Sequence, residues 1–106
     1  MRLTILHVSG CPGARTLRDR LGGLIGAGDV LTVRVVDRED VAREVGMAGS
    51  PTLLVDGVDP FAGPGCSVGL SCRLYRDASG HLAGSPSVAQ LREVLGRAAA
   101  TGHSDR

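Results

Sequence analysis

The hydrophobic and polar positions along the chain predict a small α/β domain. Residues 2–8 and 30–36 are rich in β-branched and aliphatic side chains, which is typical of strands. The second run is apolar enough to predict a strand buried on both faces. The segment between them has helical spacing, because one apolar stripe is formed by Ala14, Leu17, Leu21, Leu24 and Ile25.

The second half of the chain predicts a shorter alternation of elements. Asp37 is a candidate cap for a short helix over residues 38–45, and a third strand follows at residues 52–55. A long Gly- and Pro-rich loop then leads to a fourth strand over residues 71–76, and Ser87 caps a final helix over residues 88–99. The predicted order is β-α-β-α-β-β-α, with a four-stranded mixed sheet and helices on both faces.

Composition fits one folded domain, which we expect over residues 1–100, followed by a flexible tail over residues 101–106. The chain has 106 residues, 42% of them apolar. The net charge is +1, and all 12 basic residues are arginines scattered along the chain. Such scatter argues against a nucleic-acid partner, which needs a clustered basic face. The lack of lysine excludes a Schiff-base lysine and a Walker-type phosphate loop.

The cysteine count and the N-terminal sequence predict a cytoplasmic protein with no membrane partner. Three cysteines are an odd number, whereas a secreted disulfide framework has an even and denser set. The N-terminal run is typical of a strand and not of a signal peptide. No apolar run is long enough to span a bilayer.

Two short motifs at the boundaries of these elements indicate a chemical function. Gly10-Cys11-Pro12 follows the first strand, with Pro12 suited to the first position of the helix. Ser50-Pro51-Thr52 directly precedes the third strand. Together with the element order, these motifs resemble the thioredoxin and glutaredoxin class over residues 1–98.

The thioredoxin-like resemblance implies a cis peptide bond before Pro51, with that proline packed against the active-site residue Cys11. Proline is the residue for which the cis form costs least. The resemblance also implies substrate contacts at Pro12, Ser50 and Thr52. The chain departs from the C-x-x-C pattern of the redox members, because Ala14 stands in the fourth position. The dithiol mechanism of those members therefore does not transfer.

Residues 50–61 and 71–75 resemble a narrower family of short actinobacterial-type proteins. They are described as thioredoxin family proteins or, by weak similarity, as alkylmercury lyases. The lyase description implies two thiolates that hold the metal and a carboxylic acid that protonates carbon. Its metal-ligand candidates are Cys11, Cys66 and Cys72, and its acid would be Asp56 or Asp59.

Cys11 is the candidate catalytic residue because it lies where a helix begins. Backbone N–H groups there favour the thiolate, which is the form that attacks disulfides and binds soft metals. Arg15 lies within one turn and is a candidate contact for an anionic substrate. His81 follows the fourth strand and is the candidate acid or base. His7 lies four residues before Cys11, and an extended run of that length places it about 13 Å from Cys11, so we expect it in the core or on a strand face.

The other two cysteines are expected at the opposite end of the sheet. The third strand is predicted antiparallel to the first, so the fourth should begin at the far rim and carry Cys72 there. A strand of four to six residues spans about 13–20 Å, beyond the separation of about 7 Å that a disulfide tolerates. We therefore do not expect a Cys11–Cys72 disulfide. A Cys66–Cys72 disulfide is geometrically easier.

Three functions fit these residues. The first is a monothiol redox protein in which Cys11 exchanges with a small thiol or a protein disulfide; it requires no resident cofactor beyond a low-molecular-weight thiol. The second is a non-catalytic module that binds a peptide or partner at the face of Pro51. The third is alkylmercury lyase chemistry. The sequence does not indicate an oligomeric state.

Overall fold

The computed structural model describes residues 1–64 and 66–103, which form ten elements. The strands are β1 (Arg2–His7), β2 (Val30–Val35), β3 (Ala48–Ser50), β4 (Thr52–Val55), β5 (Gly69–Cys72), β6 (Tyr75–Arg76) and β7 (Leu82–Ala83). The helices are α1 (Pro12–Gly22), α2 (Glu39–Val45) and α3 (Val88–His103). None of the described helices is both long and apolar enough to cross a membrane.

The central sheet has the order β2-β1-β4, with β1 in the middle. The β1 strand runs parallel to β2 and antiparallel to β4, so the sheet is mixed. Two smaller ladders accompany it: β3 pairs with β5 in parallel, and β6 pairs with β7 antiparallel. The chain is therefore an α/β protein with three helices and a mixed sheet.

The core lies on both faces of the central sheet, because successive strand residues point to opposite sides. Leu3 and Ile5 pack with Leu17 and Leu21 of α1 and with Leu91 of α3. On the other face, the side chain of Leu6 packs in a second buried cluster together with Val36, Ala42 and Met47. The expected placement of helices on both faces is thus present.

The predicted four-stranded sheet is wrong for the described part of the chain. The predicted strand 71–76 is divided into β5 and β6, which belong to different ladders. The break falls at Arg73, whose backbone N–H donates to the Ser50 carbonyl at 3.0 Å and whose side chain is buried. The β5 strand is thereby fixed against β3, and it does not extend the central sheet beside β4.

The β2 strand lies at the edge of the central sheet. The expectation that both its faces are buried is wrong, because five of its six residues are exposed. Val30 and Val35 are 59% and 52% exposed. Asp37 also differs from expectation, because the residue that caps α2 is Arg38, without a side-chain cap. The final helix continues to His103, through half of the expected tail. Residues 104–106 of that tail lie outside the described residues.

Candidate functional site

Cys11 lies immediately before α1, as the residue that caps the helix with an extended backbone conformation. Pro12 takes the first helical position, as its sequence predicts. The Cys11 side chain is half-buried and packs against the core cluster shared by β1, α1 and α3. The thiol therefore sits at the mouth of the first strand-to-helix turn.

The turn that precedes Cys11 is held by hydrogen bonds to Asp37. Ser9 donates its backbone N–H to Asp37 Oδ1 at 3.0 Å and its hydroxyl to Oδ2 at 2.8 Å. Those two hydrogen bonds hold the pKa of the Asp37 carboxyl below its usual value, with a smaller contribution from His7. Gly10 has a φ of 71°, so the chain reverses there and is not extended between residues 7 and 11.

This reversal places Cys11 and His7 in the lining of one open cavity of about 190 Å³. The lining residues are His7, Gly10, Cys11, Ala14, Arg15, Arg18 and Val33. His7 Nδ1 donates to the Val8 carbonyl at 2.7 Å, which leaves Nε2 as the acceptor of a neutral ring. The separation of about 13 Å expected from an extended chain does not apply here, because the chain turns at Gly10.

Two guanidinium groups give this cavity a positive character. Arg15 and Arg18 are exposed and line it beside Cys11. Neither forms an ion pair with a carboxylate of the residues that the structure describes. Cations of this kind remain available to the carboxylate of an incoming ligand.

Pro51 lies between α1 and the β6 ladder. The Ser50–Pro51 peptide bond is cis, and the proline ring is fully buried. A Cβ built on Gly13 would stand 3.1 Å from Pro51 Cδ, so the first turn of α1 approaches the ring closely. On the other side, the Tyr75 hydroxyl donates to the Pro51 carbonyl.

The hydroxyls of Ser50 and Thr52 are buried and already have partners. Ser50 Oγ accepts the Val8 N–H at 3.0 Å. Thr52 Oγ1 accepts the Ala48 N–H at 3.0 Å and donates to the Gly49 carbonyl at 2.6 Å. These side chains build the loop before β4, and both hydroxyl oxygens already take part in hydrogen bonds within the protein.

A buried arginine organises the loop that follows β4. Arg73 and Asp59 form an ion pair at 2.7 Å with only 8% and 11% of their side chains exposed. Arg73 Nη2 also donates to the Phe61 carbonyl at 3.0 Å and to Cys66 Sγ at 3.5 Å. The guanidinium lies 4.8 Å from the centroid of the Tyr75 ring.

The charges in this cluster shift two pKa values. Burial acts to lower the pKa of Arg73, but its hydrogen bond to Asp59, together with electrostatic interactions with Tyr75, Asp59 and Cys66, outweighs burial and raises the pKa. Burial raises the pKa of the Tyr75 hydroxyl far above its usual value, and Arg73 only partly opposes that rise. Arg73 therefore stays charged and Tyr75 stays protonated.

The structure places Cys66 and Cys72 together, but not where the sequence predicted. Both are exposed and line a second cavity of about 360 Å³ beside Arg73. Cys72 pairs with Ser50, the residue before Pro51. The expected position of Cys72 at the far rim is wrong, because β5 runs parallel to β3 and so ends beside the start of β4.

The remaining predicted residues lie elsewhere. His81 is exposed in the turn between β6 and β7, where its backbone N–H donates to Asp77 Oδ1 at 2.9 Å. His81 does not line the Cys11 cavity. Within residues 1–64 and 66–103, no group of three or more His, Cys, Asp and Glu side chains could hold a metal ion. The three cysteines therefore do not form one metal site in this part of the chain.

Comparisons with protein-family models, with characterised proteins and with solved structures found no match.

Proposed function

We propose that this chain is a thioredoxin-like protein that performs thiol–disulfide exchange through the single thiol of Cys11. The observation that carries the proposal is the cavity in which a half-buried thiol at the start of α1 lies beside two guanidinium groups that have no carboxylate partner among the described residues. The parallel β1–β2 pair, the antiparallel β4 and the packing of Pro51 against the first turn of α1 support a thioredoxin-like topology.

The proposed exchange needs no resident cofactor. The Cys11 thiolate attacks one sulfur of a disulfide R–S–S–R, a new S–S bond forms, and RS⁻ leaves and takes up the proton that Cys11 lost. A small thiol R′SH then attacks the R sulfur of the mixed disulfide, forms R–S–S–R′ and releases Cys11 as the thiol. We assign this step to an external thiol, because Ala14 provides no sulfur at the position of a local resolving cysteine.

The charges around Cys11 favour an anionic low-molecular-weight disulfide as the partner, although a protein disulfide with nearby carboxylates has the same chemistry. Arg15 and Arg18 would bind those carboxylates. His7, with a free Nε2, is the nearest candidate to accept the thiol proton, in place of His81. The free thiols fit a reducing compartment, so we propose a cytoplasmic location.

A non-catalytic binding module is the second candidate, and the exposed edge of β2 favours it. Val33 and Val35 are 39% and 52% exposed on that edge. The backbone beside Pro51 is less suitable for strand addition, because the Ser50 carbonyl already accepts the Arg73 N–H. A Cys11→Ser variant that keeps full biological activity would favour this second function.

Lyase chemistry has the least support. Asp59, one of the two candidate acids, is paired with Arg73 at 2.7 Å. Asp56, the other one, accepts the Arg2 N–H at the opposite end of β1 from Cys11. Neither carboxyl group lines the Cys11 cavity.

The test is the rate of mixed-disulfide formation at Cys11, measured by intact mass in a Cys66→Ser/Cys72→Ser background. We expect anionic glutathione disulfide to react faster than neutral bis-hydroxyethyl disulfide. Replacing Arg15 or Arg18 by Gln should each lower that preference about two- to fivefold, as expected for exposed ion pairs. Arg43→Gln, on α2, is the matched control and should change nothing. Equal rates for both disulfides, or no adduct at Cys11, would refute the proposal.

A further inference from the structure

The second cavity contains two thiols that the proposed exchange at Cys11 does not use. Cys66 and Cys72 are both free and exposed, and both line this cavity of about 360 Å³ together with Arg73. We propose that Cys66 and Cys72 form a reversible intrachain disulfide, in which Cys66 is the attacking thiol and Cys72 is the resolving thiol.

Cys66 is assigned as the attacking thiol because a fixed cation contacts its sulfur. Arg73 Nη2 donates to Cys66 Sγ at 3.5 Å. The guanidinium cannot easily turn away, since Asp59 binds Nη1 at 2.7 Å and the Phe61 carbonyl accepts from Nη2 at 3.0 Å. A guanidinium beside a sulfur stabilises the thiolate, the species that attacks a disulfide.

Cys72 is assigned as the resolving thiol because it lies on the same cavity without such a contact. It is the last residue of β5 and pairs with Ser50, so its backbone is fixed by the ladder to β3. Cys66 belongs instead to the segment before β5, where Ser67 and Val68 are exposed. Closure therefore moves the Cys66 segment across the cavity towards an anchored Cys72.

The contacts of Cys66 favour redox chemistry over binding of a soft metal cation. Arg73 already donates a hydrogen bond to the Cys66 sulfur at 3.5 Å, and a bound metal ion would have to displace that contact. The same part of the structure offers no third ligand, because no cluster of three or more His, Cys, Asp and Glu side chains is found among the described residues.

The proposed oxidant is a low-molecular-weight disulfide, R–S–S–R. The Cys66 thiolate forms a mixed disulfide with one sulfur and displaces RS⁻; the Cys72 thiolate then attacks the Cys66 sulfur and displaces the second RS⁻. The two protons lost by the cysteines appear on the two RSH products. The protein is oxidised by two electrons, and the small disulfide is reduced by two.

The experiment uses a reduced Cys11→Ser variant, so its outcome does not depend on the function proposed for Cys11. We would treat it with bis-hydroxyethyl disulfide, block free thiols by alkylation and map the linked peptides by mass spectrometry. We expect an intrachain Cys66–Cys72 link with no retained adduct. In Cys11→Ser/Cys72→Ser protein, the adduct should instead accumulate on Cys66. A persistent Cys66 adduct while Cys72 is present, or links between chains only, would overturn the proposal.

The assignment of roles is tested in the same Cys11→Ser protein without altering Arg73. Under limiting iodoacetamide at neutral pH, we expect Cys66 to react about tenfold faster than Cys72, because only its sulfur contacts the guanidinium. High salt should reduce that difference, since Cys66 is exposed and its interaction with the guanidinium is screened. Faster reaction of Cys72 would reverse the assignment and refute the proposed order of attack.

Discussion

The close approach of α1 to Gly84 and Pro51 predicts a large difference between two glycine substitutions in the same helix. A Cβ at Gly13 would clash with the Gly84 carbonyl oxygen and would stand 3.1 Å from Pro51 Cδ. The first obstacle is backbone, so no rotamer change can relieve it. A Cβ at Gly22, by contrast, has no heavy atom within 4 Å and lies in the last turn.

The expected magnitudes follow from helix propensity and overpacking. Replacing a helical glycine by alanine stabilises a protein by about 0.5–1 kcal/mol where space allows, which is the expected result for Gly22→Ala. Gly13→Ala should lose that gain to overpacking, which costs about 1–3 kcal/mol. The free energy of unfolding should therefore be about 1–3 kcal/mol lower for Gly13→Ala than for Gly22→Ala.

Urea unfolding of both variants and of the unaltered chain measures this difference. The rate of Cys11 alkylation should change only in Gly13→Ala, because the first turn of α1 must move away from Pro51 and Cys11 moves with it. If Gly13→Ala were as stable as Gly22→Ala and kept the unaltered alkylation rate, the close packing of α1 on Gly84 and Pro51 would be refuted.

Two further predictions concern the buried charge cluster. Asp59→Asn should lower the free energy of unfolding by about 3–5 kcal/mol, because it leaves the charge of buried Arg73 uncompensated. Asp40→Asn breaks an exposed ion pair and should lower the free energy of unfolding by less than about 1 kcal/mol in the same urea assay. Equal effects would contradict the burial of the pair. Burial raises the pKa of the Tyr75 hydroxyl in the folded chain. The contribution of Tyr75 to stability is therefore complete below about pH 10, where the unfolded chain also keeps its tyrosine protonated. Above that pH the contribution falls, because the tyrosine of the unfolded chain ionises first. Tyrosinate absorbance should appear together with alkaline unfolding, and its appearance in folded protein would refute this.

The elements that could be predicted from the sequence are those set by local periodicity. Strand β1 and helix α1 follow directly from alternating and helically spaced apolar residues, and Pro12 marks the helix start. Strand β2 shows the limit of this reasoning, since an apolar strand has the same sequence pattern whether an element covers it or not. The pairing of β5 with β3 could not be predicted either, because it depends on a long-range backbone contact between Arg73 and Ser50.

The candidate site was predictable where motif and element boundary coincide, as at Cys11. His7 was not predicted as a site residue, because an extended chain was assumed and the turn at Gly10 was not. The sequence did contain a signal, since His7 shares a strand face with Leu3 and Ile5, and α1 covers that face. Tyr75 had a signal in composition, being the one tyrosine of a chain with 2% aromatic residues. Its hydrogen bond to Pro51 depends on tertiary packing and has no local pattern.

Ala14 explains why the two thiol cavities would require different partners. It is 6% exposed and lines the Cys11 cavity, at the position where a C-x-x-C protein has its second sulfur. No sulfur stands at this position to resolve a mixed disulfide at Cys11, and the open cavity with its exposed arginines suits an incoming anionic thiol. The Cys66 cavity has the opposite arrangement, with its cation buried and a second thiol already in the lining. Under the two proposals, the chain would exchange thiols at one cavity and store two electrons at the other.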